Sequence, residues 1–223
     1  MIDLILNKDN KNLTTFLNPF SYLLARKQRG LFSSFNIEID GILLVLILRI
    51  FGCHFIRKSF DMTSLASMIF NKAILESKTV YLIGTKPELI DQAVKNIREK
   101  FVDLNICGFR DGYFAIEEKK EILNNIINLD PDYVICGMGT PKQEEFLLDL
   151  SQAGWKGTGY TCGGFLHQTA QNIKYYPKWI DLFNLRAFYR IYDEPRLIKR
   201  YMLEYPIALI YILSDLINYK WKH

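Results

Sequence analysis

An α/β fold of the Rossmann type, a mostly parallel sheet with helices on both faces, is what the sequence predicts. Three observations lead there. Short apolar runs such as "KTVYLIG" and "DYVICGMG" read as buried strands ending in glycine. Stretches such as "KPELIDQAVKNIREKF" carry apolar residues at helical spacing. The two kinds alternate, and alternation implies crossover connections between parallel strands.

Taken in order, "LTTFLNPFSYLLARKQRG" shows a turn at Asn18-Pro19 followed by a helix, and "FNIEID" reads as a strand. "GILLVLILRIFG" is a buried helix or strand, which periodicity cannot separate. "KTVYLIG", "DLNICGF" and "DYVICGMG" are the next strands; "KPELIDQAVKNIREKF", "AIEEKKEILNNIINL" and "PKQEEFLLDLSQAG" are the helices that follow them. "KGTGYTCGGF" comes next. After Gly164 the pattern changes to helical spacing broken by Pro177, Pro195 and Pro206, with aromatics and arginines interleaved. The expected organisation is an α/β domain over residues 1–194 and a basic, aromatic appendage over 195–223.

The 223 residues suffice for one sizeable domain, and with 49% apolar residues a real core is expected rather than disorder. A net charge of +4 argues by itself for neither nucleic acid nor membrane, but the basic residues concentrate beyond Lys174. Cys53, Cys107, Cys136 and Cys162 form no CxxC pair and read as reduced core thiols. "MIDLILNKDN" has no basic n-region, and Arg49 interrupts the most apolar run, so neither a secretory signal nor a membrane span is expected and the chain is placed in the cytoplasm.

Ligands of open parallel sheets bind beyond the carboxyl ends of the strands. The turns expected there are Asp40-Gly41, Gly84-Thr85, "GFRDGYF", "GMGTPKQE" and "TCGGFLHQ". Glycine lets backbone N–H groups approach a ligand, and a helix start favours an anion, so this rim suits a phosphate. Neither GxGxxG nor the P-loop pattern is present, which disfavours NAD enzymes and P-loop NTPases. Asp130-Pro131-Asp132 resembles a metal-holding DxD, but it precedes a strand and reads as an ordinary turn at the opposite end of the sheet. His54 and His223 have no metal-ligand spacing with His167.

Asp40 either faces a cleft as a tunable base or caps the helix that starts at Gly41. Glu144 suits the first turn of a helix after Pro141 whatever the function. The paired Gly137 and Gly139 exceed what a tight turn needs. His167, beside Gly163 and Gly164, is a phosphate contact, a proton-transfer group or a structural hydrogen-bonding residue. Arg186, Arg190, Arg196 and Arg200 recur at near-helical intervals; they either neutralise a diphosphate leaving group or form a solvated basic face. The aromatics between them point to a membrane surface, whereas no nucleic-acid module is present.

In order along the chain, "NPFSY", "IDG", "RKSFD", "VYLIG", "GFRDGYF", "GMGTPKQEEF", "GYTCGGF", "YYPKWI" and "LRAFYRIYDEPRLIKRY" resemble the WecG/TagA/CpsF glycosyltransferase family from about Asn18 to Arg200. The resemblance implies a GT-E-like fold and an inverting, metal-independent transferase needing no cofactor. It moves an N-acetylmannosamine-type sugar from a UDP donor to a polyprenyl-diphosphate-linked acceptor, for a cell-surface polysaccharide. It implies peripheral attachment to the inner membrane face and is compatible with a homo-oligomer. On its terms Asp40 is the base, and Asn18, Arg57 and Asp61 line the site. Pro141, Lys142, Gln143 and Glu144 lie by the nucleotide-sugar, and Arg190, Arg196 and Arg200 complete the pocket; Gly84, Gly137, Gly139, Gly163, Gly164 and His167 are expected to bind substrate from their place on the rim. Phe16, Phe60, His167 and Gln171 depart from the residues common in the family, which leaves the donor open among N-acetylmannosamine, glucose, another hexose and another N-acetylated sugar. A nucleotide-sugar-binding protein without catalysis is the alternative.

Overall fold

In the computed structural model, the described residues are 1–7, 9–173, 175, 180, 186–193 and 195–222, without the side chains of Ala187, Phe188, Asp193, Arg196 and Lys222. Their strands are β1 (Leu13–Leu17), β2 (Asn36–Ile39), β3 (Thr79–Gly84), β4 (Asn105–Arg110), β5 (Tyr133–Gly137) and β6 (Thr158–Thr161). All pair in parallel, in the order β2-β1-β6-β5-β3-β4. The predicted α/β sheet is therefore present and wholly parallel among the described residues.

The helices are α1 (Ile2–Leu6), α2 (Pro19–Lys27), α3 (Arg29–Phe32), α4 (Ile42–Ile50), α5 (Leu65–Leu75), α6 (Pro87–Lys100), α7 (Lys119–Leu129), α8 (Lys142–Gln152), α9 (Phe165–Gln171), α10 (Arg186–Asp193) and α11 (Tyr205–Lys222). Strand alternation feeds the two faces of the sheet. Val80 and Leu82 of β3 pack with Phe70, Ile97 and Phe165, under α5, α6 and α9. Tyr81 and Ile83 point the other way, to Ile126, Phe146 and Leu150 of α7 and α8. "GILLVLILRIFG" resolves as helix α4, whose Leu44, Val45 and Leu48 are buried together with Tyr22 and Ile39.

β1 carries little apolar alternation because the centre of the sheet is polar there. Thr15 is fully buried and donates its hydroxyl to Glu144 Oε1 at 2.7 Å, while Thr161 of the neighbouring strand donates to Thr15 at 3.1 Å. Thr15 and Thr161 thus form an internal hydrogen-bonded ladder between neighbouring strands.

Beyond residue 195 the structure differs from the expected pattern at Pro206. The proline does not end a helix; it follows a π-helical turn, Arg200–Glu204, and sits in the first turn of α11. The Tyr205 N–H reaches back to the Arg200 carbonyl, a wider turn that accommodates a residue lacking its own N–H. α11 buries Ala208, Ile212 and Leu216 in the cluster formed with α1, α2 and α4. Tyr22 donates its phenol to Asp215 at 2.7 Å and Arg26 Nε donates to the same carboxylate at 3.1 Å, fixing α11 against α2. The break expected at Pro177 lies outside the described residues.

Candidate active site

The carboxyl ends of β1, β2 and β6 open into a cavity of about 830 Å³, walled on its far side by α10 and the π-helical turn. The structure brings Asn18, Asp40, Arg57, Asp61, Gly139, Gln143, Gly163, Gly164, His167, Arg190 and Arg200 to this one space. Its position agrees with the rule that parallel sheets bind ligands beyond their strand ends.

Asn18 caps α2. Its side chain accepts from the Ser21 N–H at 3.1 Å and Ser21 Oγ accepts from the Asn18 N–H at 2.9 Å, a reciprocal box reinforced by Pro19 at the helix start. Gly41 lies against this corner: a Cβ there would come within 2.9 Å of Pro19 Cδ and 3.1 Å of the Asn18 backbone. The "NPF" and "IDG" segments are therefore packed together, and that places Asp40 at the floor of the cavity.

Asp40 is not a helix cap, because the N-cap of α4 is Gly41 and no side chain caps it. Its backbone carbonyl accepts from Arg57 Nε at 2.7 Å and its Oδ1 from Arg57 Nη2 at 3.2 Å. With 37% of its side chain exposed, Asp40 remains reachable from the cavity. Burial pushes its pKa above the ordinary carboxylate value; Arg57 opposes this and the Asp61 charge adds to it. A carboxylate held in place, reachable, and less acidic than usual is suited to accept a proton.

Asp61 has a different environment. Ser59, Thr63 and Arg186 all donate to it, with the Thr63 N–H at 2.8 Å and its hydroxyl at 2.7 Å. Burial alone would raise its pKa, but Arg186 and the hydroxyl donors outweigh it and hold Asp61 below the usual range. Asp61, ionised at neutral pH, ties α10 to the segment before α5, and so sets the wall opposite Asp40.

On the other flank, Gly163 N–H donates to Gln143 Oε1 at 3.1 Å, joining the turn after β6 to α8. Gln143 donates in turn to Thr140 and Glu144 at 3.2 and 3.1 Å. Glu144 lies beneath this turn, fully buried, and burial raises its pKa against the hydrogen bonds from Thr15, Gln143 and Thr140. Glu144 thus braces the turn from inside. Pro141 and Lys142 are likewise off the cavity lining, Lys142 being exposed. Gly84 and Gly137 are explained by packing: a Cβ on Gly84 would approach the Gly137 carbonyl oxygen to 2.4 Å, so the ends of β3 and β5 require glycine.

Arg190 reaches the Gly164 turn, where an added Cβ would lie 3.6 Å from its Nη2. Arg200 stacks over Phe20, its guanidinium carbon 4.0 Å from the ring centroid. With Lys199 and Arg186 they make one wall of the cavity cationic. The side chain of Arg196 lies outside the described residues. Phe16 and the buried Phe60, 6.2 Å apart between ring centroids and set edge to face, belong to the apolar part of the lining with Phe20, Ile42 and Leu43. Ser59, Glu204 and Tyr205 also face the cavity. Ser59 falls inside the "RKSFD" segment, whereas no local pattern announces Glu204 and Tyr205, which are brought in by the C-terminal π-helical turn. Asp132 stands at the other end of the sheet, where it accepts from the Thr79 N–H and hydroxyl at 2.8 and 3.0 Å.

The family model "Glycosyl transferase WecG/TagA/CpsF family" matches residues 1–222. Among curated relatives, a UDP-Gal:alpha-D-GlcNAc-diphosphoundecaprenol beta-1,4-galactosyltransferase of Shigella boydii is 37% identical over 95% of this chain and 90% of its own length. An N-acetylglucosaminyldiphosphoundecaprenol N-acetyl-beta-D-mannosaminyltransferase of Bacillus subtilis (strain 168) is 28% identical over 92% of this chain and 80% of its own. Its namesake from Bacillus spizizenii is 25% identical over 78% and 66%. The full-length match, together with a cavity that assembles the motif residues, makes this chain a glycosyltransferase of the WecG/TagA/CpsF family.

Proposed function

We propose that the protein transfers a hexose, with galactose the first candidate, from a UDP donor to a polyprenyl-diphosphate-linked N-acetylglucosamine. The single observation that carries the reading is Asp40, clamped by Arg57 at the floor of a cavity whose other wall is cationic. Asp40 takes the proton of the acceptor hydroxyl as its oxygen bonds to the anomeric carbon. The bond from that carbon to the diphosphate oxygen breaks, the electron pair leaves with UDP, and attack from the opposite face inverts the anomeric centre. Arg190, Lys199 and Arg200 supply positive charge to the diphosphate, so the proposal requires no divalent cation.

Galactose is favoured over N-acetylmannosamine by the 37% identity to a relative named for UDP-Gal. The lipid-linked acceptor fits the C-terminal segment. Met202, Leu203, Ile207, Ile210, Ile217 and Trp221 are exposed there, and residues 195–223 are proposed to rest on the inner membrane face. Among the described residues no helix is long and apolar enough to cross a membrane. The test is a mass-spectrometric screen of UDP-sugars with a lipid-linked N-acetylglucosamine diphosphate. Transfer of one hexose is expected; UDP-sugar binding without turnover on any donor would mark a non-catalytic binding protein.

A further inference from the structure

Glu204 is a carboxylate that the proposed transfer chemistry does not use. It ends the π-helical turn Arg200–Glu204, a geometry that recurs at functional sites, and it lines the cavity that holds Asp40. Its Oε2 is buried with no hydrogen-bond partner, and among the described residues no ion pair engages it, although Lys199 and Arg200 precede it on the same turn. A buried carboxylate oxygen without a donor is costly, and such a group is satisfied when a ligand brings the donor.

The charge of Glu204 decides what kind of ligand that is. A diphosphate carries only acceptor oxygens and the same sign of charge, so it is repelled; a sugar hydroxyl donates. Position then chooses between the two sugars. Met202 and Leu203 before Glu204, and Ile207 one turn after it, are all exposed apolar side chains, so the carboxylate sits where the cavity meets an apolar surface. The acceptor is the substrate that joins a sugar to a hydrocarbon tail. The next residue, Tyr205, lines the same cavity, so Glu204 faces the space into which Asp40 opens from the opposite wall.

Resting on the transfer reaction proposed above, we infer that Glu204 binds the acceptor sugar, accepting a hydrogen bond from a hydroxyl next to the one that reacts. The residue orients the acceptor across from Asp40 and discriminates against acceptors lacking that hydroxyl.

With the 4-hydroxyl taken as the one that reacts, as in the name of the beta-1,4 relative, the experiment compares the full-length protein with Glu204→Gln on three synthetic acceptors: lipid-linked N-acetylglucosamine diphosphate and its 3-deoxy and 6-deoxy analogues. The expected result is a roughly 10- to 100-fold loss in kcat/KM on the intact acceptor, the range for a hydrogen bond to a charged group. On one deoxy analogue the variant and the wild type should agree within about threefold. The donor KM and the melting temperature should stay unchanged, and Glu204→Asp should fall between the two; if the Gln variant is unstable, Asp carries the same comparison. An equal loss on all three acceptors, a rise in donor KM instead, or no loss would each overturn the inference while transfer itself stood. A wild-type protein inert on every lipid-linked acceptor would overturn both readings.

Discussion

Replacing Asp61 by Asn removes the charge around which Ser59, Thr63 and Arg186 are arranged. The side chains of Asp61 and Arg186 are only 12% and 13% exposed, so the pair is nearly desolvated. Removing one member of a buried pair costs about 3–5 kcal/mol, because the other charge is left uncompensated. Two features reduce this: Asn keeps an acceptor for Thr63, and the cavity lets water reach Arg186. The expectation is then a loss of roughly 2–3 kcal/mol. With a urea m-value of about 3 kcal/mol/M, the unfolding midpoint falls by about 1 M. The pH dependence has a definite sign. Asp61 is more acidic folded than unfolded, so its contribution is fully present above the unfolded pKa and is lost as pH falls through the folded one. The gap between wild type and variant should therefore be constant from neutral pH down to about 5 and close below the ordinary Asp value of about 3.9. Urea titrations followed by circular dichroism at pH 7.5, 5 and 3.5 measure it. An unchanged midpoint at neutral pH, or a gap that widens in acid, would refute the assignment of Asp61 and Arg186 as a stabilising clamp.

Glu144 has the opposite sign: burial raises its pKa, so its contribution is present below the unfolded pKa and lost as pH rises through the folded value. Glu144→Gln should gain in melting temperature relative to wild type from pH 5 to pH 8, and a difference independent of pH would contradict this. Tyr22→Phe removes the hydrogen bond that fixes α11 to α2, at a cost of about 1.5–3 kcal/mol, or roughly 3–12 °C in melting temperature. No shift would mean that the Tyr22 hydroxyl does not help Asp215 to anchor the helix. For the membrane reading, Ile210→Glu with Ile217→Glu alters exposed positions and spares the buried Ala208, Ile212 and Leu216, so flotation with anionic vesicles should drop about tenfold at unchanged stability. Undiminished flotation would place the contact elsewhere.

The parallel sheet was legible because β3 and β5 are apolar on both faces, and because glycine is required where their ends meet at Gly84 and Gly137. Asp40 and the glycine turns were legible because a strand end is local information. The Arg186 to Asp61 bond spans 125 residues, and no local pattern pairs them. β1 was hidden because Thr15 at its centre serves a buried polar ladder instead of the apolar core. The same ladder explains why Glu144, which suits a helix start by its position, ends beneath the site and not in it. Pro206 misleads for a related reason: a proline normally ends a helix, and only the widened turn before it keeps the chain helical.

The most direct measurement is single-turnover transfer by Asp40→Asn with an identified donor and lipid-linked acceptor, followed over pH. Loss of a general base predicts a rate lower by about 10²- to 10⁴-fold, with donor affinity within a few-fold of wild type. The wild-type rate should rise with pH through a value above the ordinary Asp pKa, and the variant should lack that limb. Wild-type turnover by Asp40→Asn, or an unchanged pH profile, would contradict the assignment of Asp40 as the base.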